Sequence, residues 1–335
     1  MKKEYEESIL LIAPVFFGYY QEIKSKMEEL GYQVDYICDA PGNSNLLKAV
    51  GRINKNLLGP ITKKYYRQEI IPRIEHKKYS YIVVVAGMTF SLSPSMMEDI
   101  KRKNPNAKWV MYQWDSEKNL PYCTAIHTFF DKIYSFDDRD CKKNDRYHFM
   151  PLFYLDCYGQ IRKRQKKETV YDCCYVGTAH PKKYIEVKSM TDELKKKLPV
   201  QYIYHYMPSK LKYYYQKIMS AEFRKAKKHE FCFAKLTKEE IVHLYEKSRC
   251  ILDAPQEDQS GLTIRTIECL GAGKKLITTN KNIKMYDFYR EENILVIDGA
   301  VDWNSKFFSD EYVELPETIY EKYSIENWVK ELLMR

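Results

Sequence analysis

The segment from Cys250 to Thr279 constrains the fold more than any other. The apolar run Cys250-Ile-Leu-Asp253 reads as a buried strand that enters a polar loop. The loop passes through Ser260-Gly261 into a helix carrying Arg265, Thr266 and Glu268. Gly271-Ala-Gly273 closes that helix, and Leu276-Ile-Thr-Thr279 is the next strand. Such a βαβ unit aims its loop at a helix N-terminus, where backbone N–H groups collect into an anion site. Gly261 lets a phosphate approach the backbone. Arg265 offers a fork of donors to pyrophosphate oxygens. Glu268, one turn on, is placed to accept hydrogen bonds from the two hydroxyls of a ribose. The pattern suits a sugar nucleotide; the plainer alternative is an ordinary βαβ unit with a Gly-closed helix and no ligand.

The rest of the chain follows similar logic. Ser8-Ile-Leu-Leu-Ile-Ala-Pro14 is a buried-strand pattern, followed by a loop with Gly18, a helix from Tyr20 to Leu30 closed by Gly31, and a strand over Tyr32–Ile37. The first loop has one Gly where a Gly-x-Gly-x-x-Gly dinucleotide site needs three. Residues 43–78 read as helical and basic, and Tyr79–Ala86 as a central parallel strand. Ser93-Pro94 starts a helix. Lys108–Gln113 is a strand with Trp114-Asp115-Ser116 at its carboxyl end, and short strands follow at 132–136 and 147–150. In the second half, Tyr171–Thr178 is a strand ending in Gly177-Thr178. Helices are expected at 182–198, 208–228 and 237–247, with strands at 200–204 and 293–297. The fold class is therefore α/β, with two Rossmann-like, doubly wound domains. The first spans 1–155, a linker 156–170, the second domain 171–316, and a C-terminal helix 317–335.

A chain of 335 residues is comfortable for two cores. Nothing near Met1 reads as a signal peptide, and no apolar run has transmembrane length. The nine cysteines are scattered without a Cys-x-x-Cys pair, which argues against a zinc knuckle or a disulfide framework and for free thiols in a reducing cytoplasm. A net charge of +9 with 30 tyrosines fits nucleic acid, and equally anionic lipids or lipid pyrophosphates. No nucleic-acid module is recognisable, so no nucleic-acid partner is expected.

The residues Gly261-Leu-Thr263, Arg265-Thr-Ile-Glu-Cys269, Gly271, Gly273 and Leu276-Ile-Thr278 resemble the donor-site segment of GT-B fold glycosyltransferases. The variant with Arg-Thr before the Glu is most similar to the bacterial spore-coat, capsule and lipopolysaccharide branch. The resemblance implies two domains facing across a cleft, a final helix that packs back on the first domain, and a nucleoside diphosphate sugar bound without metal or cofactor. It implies donor-binding roles for Gly177, Thr178, Lys235, Ser260, Gly261, Arg265, Thr266 and Glu268. It also implies that the Phe17-Gly18 loop, Trp114 and His180 lie at the cleft, His180 either as a base or phosphate partner or as an incidental loop residue. Retaining families carry an acidic residue where this chain has Ser260, so the stereochemical outcome stays open.

Asp115, at a strand's carboxyl end beside Trp114, is the candidate general base for an acceptor hydroxyl; the alternative is a helix-capping Asp. Asp138 and Asp140 form an Asp-x-Asp, read here as acids in the first turn of a helix rather than as metal ligands. Two basic stretches remain. One holds Arg52, Lys55, Lys63, Lys64 and Arg67 among Leu57, Leu58 and Ile61. The other holds Lys210, Lys212, Lys217, Arg224, Lys225, Lys227 and Lys228 among Leu211, Tyr214, Ile218 and Phe223. Each fits either an anionic membrane surface or a solvated charged face with its apolar stripe turned to the core. The expected function is transfer of a sugar from a nucleoside diphosphate sugar to a hydroxyl of a surface glycan or lipid-linked saccharide. The expected location is the cytoplasm or, peripherally, the inner membrane face. The alternative is a non-catalytic nucleotide- or carbohydrate-binding protein on the same scaffold.

Overall fold

The structure, a computed structural model, describes residues 7–15, 17–41, 59–87, 89–164, 168–255 and 261–334. The chain divides into two compact units. One comprises Met1–Pro151 with Ile325–Arg335, the other Leu152–Ser324.

The first unit is built on a six-stranded parallel sheet in the order β2-β1-β3-β4-β5-β6. Its strands are β1 (Glu7–Ala13), β2 (Tyr32–Cys38), β3 (Tyr81–Ala86), β4 (Lys108–Gln113), β5 (Lys132–Ser135) and β6 (Tyr147–Phe149). All of β3 and the last five residues of β1 are buried, as expected of parallel strands covered on both faces. The helix Ile325–Leu332 belongs to this unit. It buries Ile325, Trp328, Val329 and Leu332. Trp328 meets Tyr112 of β4 edge-on at 4.8 Å, and the Glu331 carbonyl accepts a 2.8 Å hydrogen bond from the Tyr134 hydroxyl. At about 1.5–3 kcal/mol per fully buried apolar side chain, this one face fixes the helix firmly.

The second unit holds another six-stranded parallel sheet, in the order β12-β11-β10-β7-β8-β9. Its strands are β7 (Tyr171–Thr178), β8 (Gln201–Tyr206), β9 (Phe231–Cys232), β10 (Ser248–Asp253), β11 (Lys275–Thr278) and β12 (Ile294–Val296). The chain grows outward from β7 to β9, returns to the other side of β7, and grows again through β10 to β12. This is the strand order of a Rossmann sheet.

Several elements differ from expectation. Segment 156–170, read as a linker, contains the helix Asp156–Lys163, whose Tyr158, Gly159 and Ile161 are buried within the second unit. Its mixed, charge-rich composition hid that apolar stripe. The C-terminal stretch is two helices, Glu317–Glu321 in the second unit and Ile325–Leu332 in the first. The helix expected over 208–228 runs only over Lys210–Met219, then breaks into short 3₁₀ turns. In the first basic stretch, Arg52, Lys55, Leu57 and Leu58 lie outside the described residues. Lys63 and Lys64 are on the helix Gly59–Tyr65, and Arg67 is on the π-helical turn that follows. Asp137 caps the helix Asp138–Lys143 by accepting from the Arg139 N–H at 2.9 Å, while Asp140 accepts from the Glu117 N–H at 2.7 Å. All nine cysteines are free. No helix among the described residues is long and apolar enough to cross a membrane.

Two glycines at the end of the helix Ile264–Gly271 have separate jobs. Gly273 adopts a positive φ of 59°, which turns the chain into β11. Gly271 is demanded by packing: a Cβ there would lie 2.4 Å from Tyr154 Cγ. The Tyr154 ring lies 4.9 Å from that of Tyr320, whose hydroxyl donates to the Gly271 carbonyl at 2.7 Å. Gly271→Ala should therefore destabilise by about 1–3 kcal/mol through overpacking, although Ala is the better helix former. Urea unfolding measures the effect, and a neutral or stabilising result would contradict the close approach.

Candidate functional site

In a doubly wound sheet, ligands bind beyond the carboxyl ends of the strands where sheet growth reverses. In the second unit those strands are β7 and β10, paired in parallel with Ile251 opposite Cys174. Their ends carry Gly177-Thr178 and Asp253.

Asp253 is fully buried. Its carboxylate accepts hydrogen bonds from the Thr263 hydroxyl at 2.6 Å, the Thr266 hydroxyl at 3.0 Å and Arg265 Nη1 at 2.8 Å. Thr263 is also the N-cap of the helix Ile264–Gly271, its hydroxyl oxygen accepting from the Thr266 N–H at 3.3 Å. One carboxylate thus gathers the cap and first turn of the helix onto the end of β10. The sequence assigned Arg265 and Thr266 to a diphosphate. In the structure both are bonded to Asp253, an anion the chain supplies itself at that helix start.

Arg265 is 17% exposed, and its guanidinium lies 5.3 Å from the centroid of the Tyr175 ring. Burial pulls its pKa down, but Asp253, Tyr245, Tyr175 and Glu268 together outweigh this and keep it above the ordinary arginine value. Asp253 engages one of the five guanidinium N–H groups. Tyr175 and Gly177 project from the same face of β7, and a Cβ on Gly177 would lie 2.2 Å from the Tyr175 hydroxyl oxygen. The room the sequence reading kept for a diphosphate beside Gly177 is filled by this phenol. Its hydroxyl is buried and without a hydrogen-bond partner among the described residues.

Lys183 completes the cluster. It lies in the first turn of the helix Pro181–Leu194, which starts just beyond β7. Burial first, and then the Arg265 charge, lower its pKa to about 8, against the opposing pull of Asp253 and Glu186. Glu268, half-buried one turn beyond Arg265, is within electrostatic reach of Arg265 and of the buried Tyr245. Gly261 is buried, and its carbonyl accepts from Asn280 Nδ2 at 3.3 Å. Thr178 is half-buried at the tip of β7, and His180 is exposed at the N-cap of the following helix. Lys235 is exposed beyond β9, two strands away from β7. Ser260 lies outside the described residues.

In the first unit growth reverses between β1 and β3. Phe17 and Gly18 follow β1 with φ of 48° and 78°, the left-handed region that a phenylalanine adopts only under local constraint. Trp114 follows β4, its N–H bonded to the Ala86 carbonyl at 2.8 Å and its ring edge-on to Tyr19 at 5.5 Å. Asp115 accepts from the Ser116 N–H at 3.1 Å and from Asn119 Nδ2 at 2.8 Å. Burial raises its pKa, and these two bonds partly offset the rise. A carboxylate raised in this way is a better proton acceptor near neutral pH than an exposed one.

Reading from the sequence missed Asp253 as an organiser, together with Tyr175 and Lys183. One signal was present for Lys183. Pro181 marks the helix start, which puts a lysine in the first turn, at the positive end of the helix dipole. Local conflicts of that kind are found at functional or strained positions. Asp253→Ala should lower stability by about 3–5 kcal/mol, because it leaves a largely buried guanidinium without its counter-charge. The check is chemical denaturation; a loss of less than about 1 kcal/mol, the range of an exposed pair, would refute the organising role.

No family model and no curated protein matches this chain. Solved structures do. An alpha-glucosyltransferase in complex with UDP and a 13-mer DNA containing a central A:G mismatch is 12% identical. It matches 98% of this chain and 92% of its own with a TM-score of 0.55. HepE of Anabaena, in complex with UDP-glucose, is 11% identical, matching 98% of this chain and 97% of its own with a TM-score of 0.51. At these identities the likeness is one of fold. The chain has the GT-B fold, two Rossmann-like α/β domains, each on its own parallel sheet.

Proposed function

We propose that this protein is a glycosyltransferase that moves a sugar from a nucleoside diphosphate sugar to a hydroxyl of a surface-glycan or lipid-linked saccharide. The observation that carries the reading is Arg265, fixed by Asp253 where sheet growth reverses in the second unit, paired with Lys183 in the first turn of the helix that follows β7. A diphosphate is the ligand that such a pair beside a helix start would select. Two proteins of the same fold, solved with UDP and with UDP-glucose, support the same ligand class.

In this reading the remaining N–H groups of Arg265, the Lys183 ammonium, Thr178 and the backbone around Gly261 meet the diphosphate. Arg265 and Lys183 then stabilise the charge that develops on the leaving group, without a metal ion or cofactor. Asp253 is the positioning residue that aims Arg265. Glu268 receives the ribose hydroxyls, and Asp115 takes the proton of the acceptor hydroxyl. The likeness of Arg265-Thr-Ile-Glu268 to the capsule, lipopolysaccharide and spore-coat branch supports a bacterial surface polysaccharide as product. The same likeness supports work in the cytoplasm or at the inner face of the cell membrane.

UDP, GDP, CMP and TDP should be screened by thermal shift. At a hundredfold excess over Kd, one of them should add about 2.7 kcal/mol of stability. Glu268→Ala should abolish most of that gain; an unchanged shift would remove the ribose assignment. The affinity should also depend on pH. With the Lys183 pKa at about 8, the ammonium form is present below that value and is lost above it. Nucleotide affinity should therefore fall as pH rises through this range, with proton uptake on binding measurable by calorimetry in two buffers. Lys183→Arg, which stays charged, should flatten the dependence. A profile unaffected by that substitution would take Lys183 out of the site.

A further inference from the structure

The helix Lys210–Met219, between β8 and β9, is turned inside out. A surface helix of a globular domain directs its apolar stripe to the core. This one buries Tyr213 and Gln216 and exposes Leu211, Tyr214, Tyr215, Ile218 and Met219, from 51% for Tyr214 to 81% for Leu211. At about 100° per residue, Leu211 and Ile218 fall together opposite the buried face, with Tyr214 and Tyr215 on either side of them. Lys210 and Lys217 lie beyond Tyr214, and Lys212 lies beyond Tyr215. The face is thus ordered by polarity, with aliphatic tips along its crest, phenols next and cations at both margins.

The underside holds this arrangement in place. The Tyr213 hydroxyl donates to the Ala226 carbonyl at 2.9 Å, and its ring packs at 5.4 Å from Phe231. Lys217 Nζ reaches the same carbonyl at 2.9 Å. Arg224, Lys225, Lys227 and Lys228 are exposed on the turns that follow. Residues 208–230 carry seven Lys and Arg against two Glu. One of those, Glu230, is engaged by Tyr184 at 2.9 Å and by Lys188 at 3.1 Å.

We infer that this helix is a docking surface for an anionic lipid bilayer. An apolar crest of this kind enters the boundary between headgroups and acyl chains. Tyrosines suit that depth, and lysines at the margin meet anionic headgroups. Charge complementarity singles out the bilayer, because a neutral partner has no use for cations on both margins. The aliphatic crest argues against a nucleic acid, whose bases stack on aromatic rings. The sequence left this stretch open between a membrane surface and a core-facing stripe; the structure buries Phe223 but turns Leu211, Tyr214 and Ile218 outward. The inference adds the membrane contact to the functional reading above, on which its biological sense rests, and it is measured independently of nucleotide binding.

The test is flotation of the full chain with vesicles of phosphatidylcholine alone and of phosphatidylcholine mixed with phosphatidylglycerol. The chain should float with the mixed vesicles and bind the neutral ones at least about tenfold more weakly. Leu211→Ser with Ile218→Ser should lower mixed-vesicle binding by about tenfold or more, and so should Lys210→Glu with Lys212→Glu. Unchanged urea unfolding and an unchanged nucleotide thermal shift in these variants would show that the fold and donor site are intact. The proposal is overturned by equal binding to both vesicle types, by no binding, or by variants that bind as the parent does. It is also overturned if the substitutions instead abolish a concentration-dependent dimer in light scattering, or a salt-sensitive complex with random oligonucleotides. A failed nucleotide shift with intact flotation would count against the donor reading alone.

Discussion

The candidate site of the second unit depends on one fully buried anion, Asp253. Placing a carboxylate away from water carries a penalty of several kcal/mol unless its oxygens are satisfied. At Asp253 they are satisfied by two hydroxyls and a guanidinium, all from the cap and first turn of one helix. The bonds therefore offset the penalty and at the same time fix where that helix begins. A helix of eight residues is too short to be stable alone. This one is held at its start by charge and at its finish by the contact of Gly271 with Tyr154 and Tyr320. With both ends fixed, the rotation of the helix is fixed, and with it the directions of Arg265 and Glu268.

Much of the fold was legible because buried parallel strands are written as uninterrupted apolar runs. The runs ending at Ala13, Ala86, Gln113 and Asp253 all became strands in register with their neighbours. The βαβ unit around Arg265 was legible for the same reason, helped by its closing glycines. What stayed hidden depended on contacts remote in sequence or on direction. The need for Gly271 comes from Tyr154, more than a hundred positions earlier. The helix Asp156–Lys163 looked like a charged connector because only Tyr158, Gly159 and Ile161 face inward.

Direction was the harder problem for the basic stretches. A helical pattern of Lys, Leu and Tyr gives the period of an amphipathic helix but not which side meets the core. Over Lys210–Met219 the small aromatic cluster around Phe223 and Phe231 accepts Tyr213, and this chooses the orientation that leaves Leu211 and Ile218 outside. The local sequence is equally compatible with the opposite choice. The first-unit loop at Phe17 shows a related limit: one Gly was legible, but not the left-handed phenylalanine before it.

The strands of the first sheet are all made before residue 150, yet its covering layer includes Trp328 and Leu332. During synthesis the entire second unit is translated between these two parts. The early sheet must therefore wait on the ribosome with the apolar side of Tyr112 uncovered. Chaperone occupancy and aggregation of nascent chains should concentrate in that interval, and a stop codon placed just ahead of Ile325 would prolong it indefinitely.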